Sequence, residues 1–203
     1  MTLQVYGTPP SRTHRVLWAA HEVGQDTLLS KVDFTVGENL NPEYLAINPN
    51  GKVPAIRDGS LVLWESLAIT LYIADKAGAP FGPVDIAERA QMTMWSFWAL
   101  TEIERDAQTF GLNTVWAGPG RSDLTALDRA KTRLARPLSI LNDFIGRGRG
   151  ALVGGRFTVA DLNVASVLDP ARFLPELIGS FAEVDCWLGR CLARPAYRAA
   201  ETA

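Results

Sequence analysis

The chain has 203 residues, with 20 Lys+Arg against 22 Asp+Glu for a formal net charge of -2, and 47% hydrophobic and 21% charged residues. At about 150 residues per domain that length closes one sizeable core or two modest ones, and the composition is that of a globular protein rather than a disordered or fibrous one. A near-neutral charge without a basic run leaves no footprint for phosphate neutralisation, so no nucleic-acid partner is expected.

Met1 to Gly7 carries no basic segment followed by an apolar stretch, and no apolar run approaches the roughly 18 residues of a membrane span. The expected location is the cytoplasm, with no membrane partner. Cys186 and Cys191 stand five apart, neither a disulfide framework nor a CxxC redox pair. His14 and His21 stand seven apart without a Cys or carboxylate arrangement of metal-ligand type, so no metal is expected.

In chain order, Leu3 to Tyr6 reads as a strand, and Gly7-Thr8-Pro9-Pro10-Ser11 as a turn. A helix follows, with Val16, Leu17, Ala20 and Val23 on one side and Gly24 as its stop. Residues 27 to 33 read as a second strand, and Pro42 to Ile47 as a short helix ending before Asn48-Pro49-Asn50-Gly51. Val53 to Arg57 and Leu61 to Trp64 are strands joined through Asp58-Gly59, a hairpin signal. Ser66 to Lys76 is a helix with Gly78 behind it, so the order is βαβαββα.

Gly78-Ala79-Pro80-Phe81-Gly82-Pro83 is a breaker cluster. It divides the chain into a small α/β domain over residues 1–78, a linker over 79–84 and an all-helical domain over 85–203. The first long helical segment starts near Asp85 and carries Met92, Met94, Trp95, Trp98, Leu100 and Ile103; Gly118-Pro119-Gly120 interrupts the pattern, and a further helix is expected over 123–145. Later, Thr158 and Asp161 have the spacing of an N-cap and its reciprocal partner, with Phe157 and Leu162 as a hydrophobic staple. That aspartate therefore has a structural occupation.

Three places carry possible chemistry. Val53-Pro54 lies where a strand begins; the proline is either an ordinary strand-start residue, or a cis proline that leaves the Val53 amide and carbonyl free for an extended peptide. Glu65-Ser66 lies where a strand becomes a helix: Ser66 either caps the helix or, with the free amides, takes a carboxylate while Glu65 takes an ammonium group. Ser11 opens the first helix, where a hydroxyl caps the helix or donates to an anion. No histidine–acid pair is placed to make it a hydrolytic nucleophile. His14 reads as a surface or interface residue, and the tryptophans, including Trp95, Trp98, Trp116 and Trp187, mostly as core or interface.

Together, Ser11, the segment Asn48-Pro49-Asn50-Gly51-Lys52-Val53-Pro54-Ala55-Ile56, and Leu63-Trp64-Glu65-Ser66-Leu67-Ala68-Ile69 resemble the soluble glutathione transferase family, of the bacterial-like, serine-type kind. The likeness continues through Phe157-Thr158-Val159-Ala160-Asp161-Leu162-Asn163 and covers nearly the full chain. The resemblance implies a thioredoxin-like N-terminal domain, an all-helical C-terminal domain and a homodimer. It implies glutathione as cosubstrate, with Val53 before a cis Pro54 bonding the cysteinyl backbone, Glu65 and Ser66 holding the γ-glutamyl head, and Ser11 bonding the sulfur.

Lys52 would approach the glycyl end, a contact that relatives usually make from a loop residue near Asn39. Thr8 and Thr13 compete with Ser11 for the sulfur. Tyr6 lies inside the first strand, so no tyrosine stands where some classes activate the thiol, and the first turn holds no cysteine to form a mixed disulfide. The implied second substrate is a small apolar electrophile or a hydroperoxide, bound between the Gly7 to Arg12 loop and the helix carrying Trp95 to Ile103 and Phe110. Two other readings stand beside transfer: peroxide or disulfide reduction through bound glutathione, and non-catalytic binding of glutathione or apolar ligands.

Overall fold

A computed structural model describes residues 2–114, 122–148 and 150–203. The chain divides into two compact units, Met1–Val84 with Ala193–Ala203, and Asp85–Leu192.

In the first unit, β1 (Leu3–Tyr6) is central. It pairs in parallel with β2 (Thr27–Ser30) and antiparallel with β3 (Ala55–Asp58), which pairs antiparallel with β4 (Leu61–Trp64). The sheet order is β2-β1-β3-β4. Both β2 and β3 are shorter than their patterns imply because β1 ends at Tyr6, whose partners are Ser30 on one side and Ala55 on the other. Beyond those residues the β2 side keeps only the contacts of Gly7 with the Ser30 carbonyl and the Val32 N–H, and Pro54 has no N–H to contribute.

Alternation along β1 sends Leu3 and Val5, both fully buried, to one face of the sheet. Tyr6 lies on the other, packed on a cluster of Val32, Tyr44 and Ala55. Helices α1 (His14–Glu22) and α3 (Ser66–Ala77) pack on each other, with α1 burying Val16, Leu17, Trp18, Ala19 and Ala20. Between them in sequence lies the single-turn α2 (Pro42–Leu45). The Asp58-Gly59 hairpin turn is anchored to α3: Asp58 accepts hydrogen bonds from Tyr72 (2.7 Å) and Lys76, and these hold its carboxyl below the usual range, Lys76 first.

The second unit begins with α4 (Ile86–Trp98), capped by Asp85, whose side chain accepts from the Glu88 N–H at 2.8 Å. The chain continues through a wide turn at Ala99–Glu104 into α5 (Arg105–Thr114). Trp116 and the Gly118-Pro119-Gly120 interruption lie outside the described residues. Then α6 (Leu124–Arg147) starts at an Asp123 cap, and α7 (Val159–Leu168) follows.

Every residue of α7 is buried, so it is wrapped by protein on all sides. Its N-terminus is the capping box read from the sequence: Asp161 Oδ2 accepts from the Thr158 N–H (3.0 Å) and hydroxyl (3.1 Å). Asp161 Oδ1 accepts from the Leu152 N–H and the Trp187 indole, each at 3.0 Å. Burial pushes the Asp161 carboxyl up, against the four donors that pull it down. The short α8 (Pro175–Ile178) and α9 (Ala182–Leu192) complete the unit.

The last helix, α10 (Pro195–Glu201), packs on α1 rather than extending the helical unit. Tyr197 meets Trp18 and His14 edge-on, at 5.0 and 4.7 Å between ring centroids, and Arg194 grips Glu22 through two hydrogen bonds of 2.6 and 2.7 Å. These partners lie more than 170 residues apart in sequence, which no local pattern reveals.

Candidate functional site

The strand register brings the three sequence-derived places to one end of the sheet. Tyr6 pairs with Ala55 and Ala55 with Trp64, so the loop after β1, the turn before β3 and the junction after β4 emerge together. Gly7 is the close contact among them. It has φ +142°, and a Cβ there would lie 2.1 Å from Thr13 Oγ1 and 3.2 Å from Val53 Cβ. Only glycine satisfies both the backbone and the space.

Residues Pro9–Thr13 form a wide turn ahead of α1, and Ser11 within it is extended, at φ -122° and ψ -172°. Ser11 therefore does not begin the helix; α1 starts at His14. Its half-buried Oγ lies 2.7 Å from the Thr8 carbonyl oxygen and 2.8 Å from Thr13 Oγ1, and accepts from the Thr13 N–H at 3.1 Å. Thr13 is fully buried. His14 packs against α10, with Nε2 3.3 Å from the Tyr197 carbonyl oxygen.

The Val53–Pro54 peptide bond is cis. The turn before it is held from several sides: Lys52's carbonyl accepts from the Tyr44 hydroxyl and from Asn48 Nδ2, each at 2.6 Å, and Gly51's carbonyl accepts from Asn39 Nδ2 at 2.7 Å. Burial pushes the Tyr44 phenol up to about 12. Asn48, nearly fully buried, also receives the Asn50 N–H on its Oδ1, at 3.1 Å. The Lys52 side chain is exposed, and Val53 keeps its N–H and carbonyl out of the turn and loop hydrogen bonds among the described residues.

At the third place only the cap reading of Ser66 fails. Ser66 is not the cap of α3: Glu65 occupies that position, with no side-chain cap hydrogen bond, and Ser66 is the first helical residue. The Ser66 hydroxyl is buried and accepts from Arg15 Nη1 at 3.3 Å. Glu65 has φ +75°, unlike every other non-glycine residue described. Its side chain is exposed and makes no ion pair with another described residue.

The junction thus offers a carboxylate, a hydroxyl and first-turn amides that have no partner within the helix. That donor and acceptor set fits the ammonium and carboxylate of an α-amino acid head, while the Val53 backbone fits the peptide that follows it. Sequence reasoning missed Arg15 as the partner of Ser66, because the two lie 51 residues apart. The sequence offers only an arginine beside the apolar Val16 and Leu17, and its burial appears in the fold alone.

Among the tryptophans, Trp18 and Trp187 are core residues and Trp95 is nearly so, whereas Trp64 is 40% exposed. Ile103 and Phe110 are fully buried. Among the described residues, no group of three or more His, Cys, Asp or Glu side chains could hold a metal ion, and no helix is long and apolar enough to cross a membrane.

A mixed sheet of order β2-β1-β3-β4 with a cis proline at its open end, followed by a helical unit, defines a class of fold that can hold an extended peptide beside that proline. Comparison with known proteins narrows the class. The family model "Glutathione S-transferase, N-terminal domain" matches residues 1–75, and "Glutathione S-transferase, C-terminal domain" matches residues 104–195. Glutathione S-transferase 3 of Zea mays is 32% identical over 215 residues, covering 97% of this chain and 91% of the relative.

Among solved structures, glutathione transferase F7 from Populus trichocarpa superposes with a TM-score of 0.89 at 29% identity, covering 98% of each chain. The theta class glutathione S-transferase from the citrus canker pathogen Xanthomonas axonopodis pv. citri, solved with glutathione bound, gives 0.87 at 29% identity, covering 99% of this chain and 97% of that one. The chain belongs to the soluble glutathione transferase family, and its enzymatic activity is glutathione transfer.

Proposed function

We propose that Ser11 is the sulfur contact of this transferase. Glu65 and Ser66 hold the γ-glutamyl head of glutathione, Val53 ahead of cis Pro54 pairs with the cysteinyl backbone, and Lys52 faces the glycyl end. The observation that carries the reading is the contrast between two neighbouring hydroxyls: Ser11 is half-buried, whereas Thr13 is enclosed and has no surface to offer a ligand. The electrophile is small and apolar, or a hydroperoxide; the enzyme acts as a homodimer in the cytoplasm.

A free thiol titrates at about 8.5 or slightly higher and is mostly protonated at pH 7, while the thiolate is the nucleophile. A hydrogen bond from Ser11 to the thiolate, worth about 1.5–3 kcal/mol, lowers the thiol pKa by about 1–2 units if it favours the thiolate alone. Glutathione then binds more tightly as pH rises from the bound pKa towards the free one, releasing a proton, and the pH dependence flattens outside that window. Attack on an electrophilic carbon forms the thioether and expels the leaving group.

The test is the ultraviolet thiolate absorbance of enzyme-bound glutathione against pH, in wild type and Ser11→Ala. The expected wild-type pKa is about one unit or more below the free value. In the variant it returns towards the free value and turnover falls, with binding retained, because the contact is stronger for thiolate than thiol. Unchanged turnover in Ser11→Ala removes Ser11 from the role. Saturable binding without a pKa shift in wild type makes the protein a carrier.

A further inference from the structure

We infer that Thr13 is a positioning residue for Ser11: its buried hydroxyl donates to Ser11 Oγ and so leaves Ser11 to meet the sulfur as a hydrogen-bond donor only. This rests on the assignment of Ser11 above and deepens it.

Thr13 is 0% exposed, and its hydroxyl makes one contact among the described residues, 2.8 Å to Ser11 Oγ. A hydroxyl carries one hydrogen to donate, and a buried donor left without an acceptor costs about 1–3 kcal/mol. Ser11 Oγ is the acceptor within reach, so the Thr13 hydrogen goes there. Ser11 does not depend on Thr13 for its own hydrogen, because the Thr8 carbonyl lies 2.7 Å away on another side.

Ser11 Oγ accepts from the Thr13 N–H at 3.1 Å, and with the hydrogen of the 2.8 Å hydroxyl pair assigned to Thr13 it accepts twice from one residue. Two accepted hydrogen bonds occupy its lone pairs, so a ligand sulfur can meet Ser11 only as the receiver of its hydrogen. They also polarise the O–H, which strengthens it as a donor. When a thiolate is present, the hydrogen is shared between the Thr8 carbonyl oxygen and the sulfur, with both accepted bonds kept. The space for this arrangement is reserved by Gly7, where a Cβ would fall 2.1 Å from Thr13 Oγ1.

The experiment uses the full chain and four variants: Thr13→Val, which keeps the shape and removes the hydroxyl; Thr13→Ser, which keeps the hydroxyl; Ser11→Ala; and the Ser11→Ala/Thr13→Val double variant. The readouts are the thiol pKa of bound glutathione, glutathione affinity, and kcat at a pH below the bound pKa. Thr13→Val is expected to raise the bound pKa by about half a unit and lower kcat about threefold, with affinity within about twofold of wild type. Thr13→Ser restores both values, and Thr13→Val adds nothing once Ser11 is alanine.

Should Thr13→Val fail to fold, Thr13→Ala removes the same hydroxyl without added bulk and carries the same expectation. A merely structural Thr13 would change melting temperature or affinity and leave the bound pKa alone, which overturns the inference. A shifted pKa in Ser11→Ala with a wild-type pKa in Thr13→Val overturns it while leaving the Ser11 assignment standing. An unshifted pKa in Ser11→Ala overturns both.

Discussion

Glu65 shows function and stability pulling apart at a single residue. Its φ of +75° is a conformation that side chains with a Cβ resist, at about 1–3 kcal/mol. The carboxylate stays exposed and without an ion partner among the described residues. Glycine would relieve the backbone and remove the carboxylate together. We expect Glu65→Gly to raise unfolding free energy by about 1 kcal/mol in urea titration, and to weaken glutathione by about tenfold or more in calorimetry. Wild-type affinity in that variant would detach Glu65 from the γ-glutamyl head. Ser66 is tied in differently, since Arg15 already donates to its hydroxyl and fixes where that oxygen lies.

Among the elements, α7 depends most on its first turn. It is buried along its whole length, so solvent cannot satisfy the free amides at its start, and Asp161 takes up that task while also receiving Leu152 and Trp187. Replacing Asp161 with alanine leaves four donors facing no acceptor in a closed environment. We expect Asp161→Ala to cost about 3 kcal/mol or more, measured as a loss of denaturation midpoint at unchanged slope. A loss below about 1 kcal/mol would mean that water replaces the carboxylate. Helix α10 works in the other unit: through Arg194–Glu22 and Tyr197–Trp18 it secures α1, whose N-terminus follows directly on the Ser11 turn.

For the molecule as a whole, binding and folding are linked. A ligand that binds only the folded chain stabilises it by about 2.7 kcal/mol at a concentration 100-fold above its Kd. Glutathione at that level is expected to raise the melting temperature of wild type. In a variant that binds tenfold more weakly, the same concentration contributes about 1.4 kcal/mol, so the upward shift of Glu65→Gly should be about half as large. Equal shifts in the two proteins, measured by calorimetry over a glutathione series, would place the stabilising site elsewhere.

What the sequence determined by itself is what depends on near neighbours. The β1 alternation, the Asp58-Gly59 hairpin, the Thr158–Asp161 capping box and the order βαβαββα are all set by residues within a few positions of one another, where local geometry and hydrophobic period act. The cis form of Pro54 was an open alternative, because either isomer suits a strand start. The tertiary structure decided what depends on distant partners. Strand lengths follow from where β1 stops, the Ser66 hydroxyl meets an arginine 51 residues away, α10 packs on a helix at the other end of the chain, and burial separates Thr13 from Ser11. Hydrogen-bond satisfaction and exclusion of water are properties of the packed molecule, and spacing along the chain does not encode them one residue at a time.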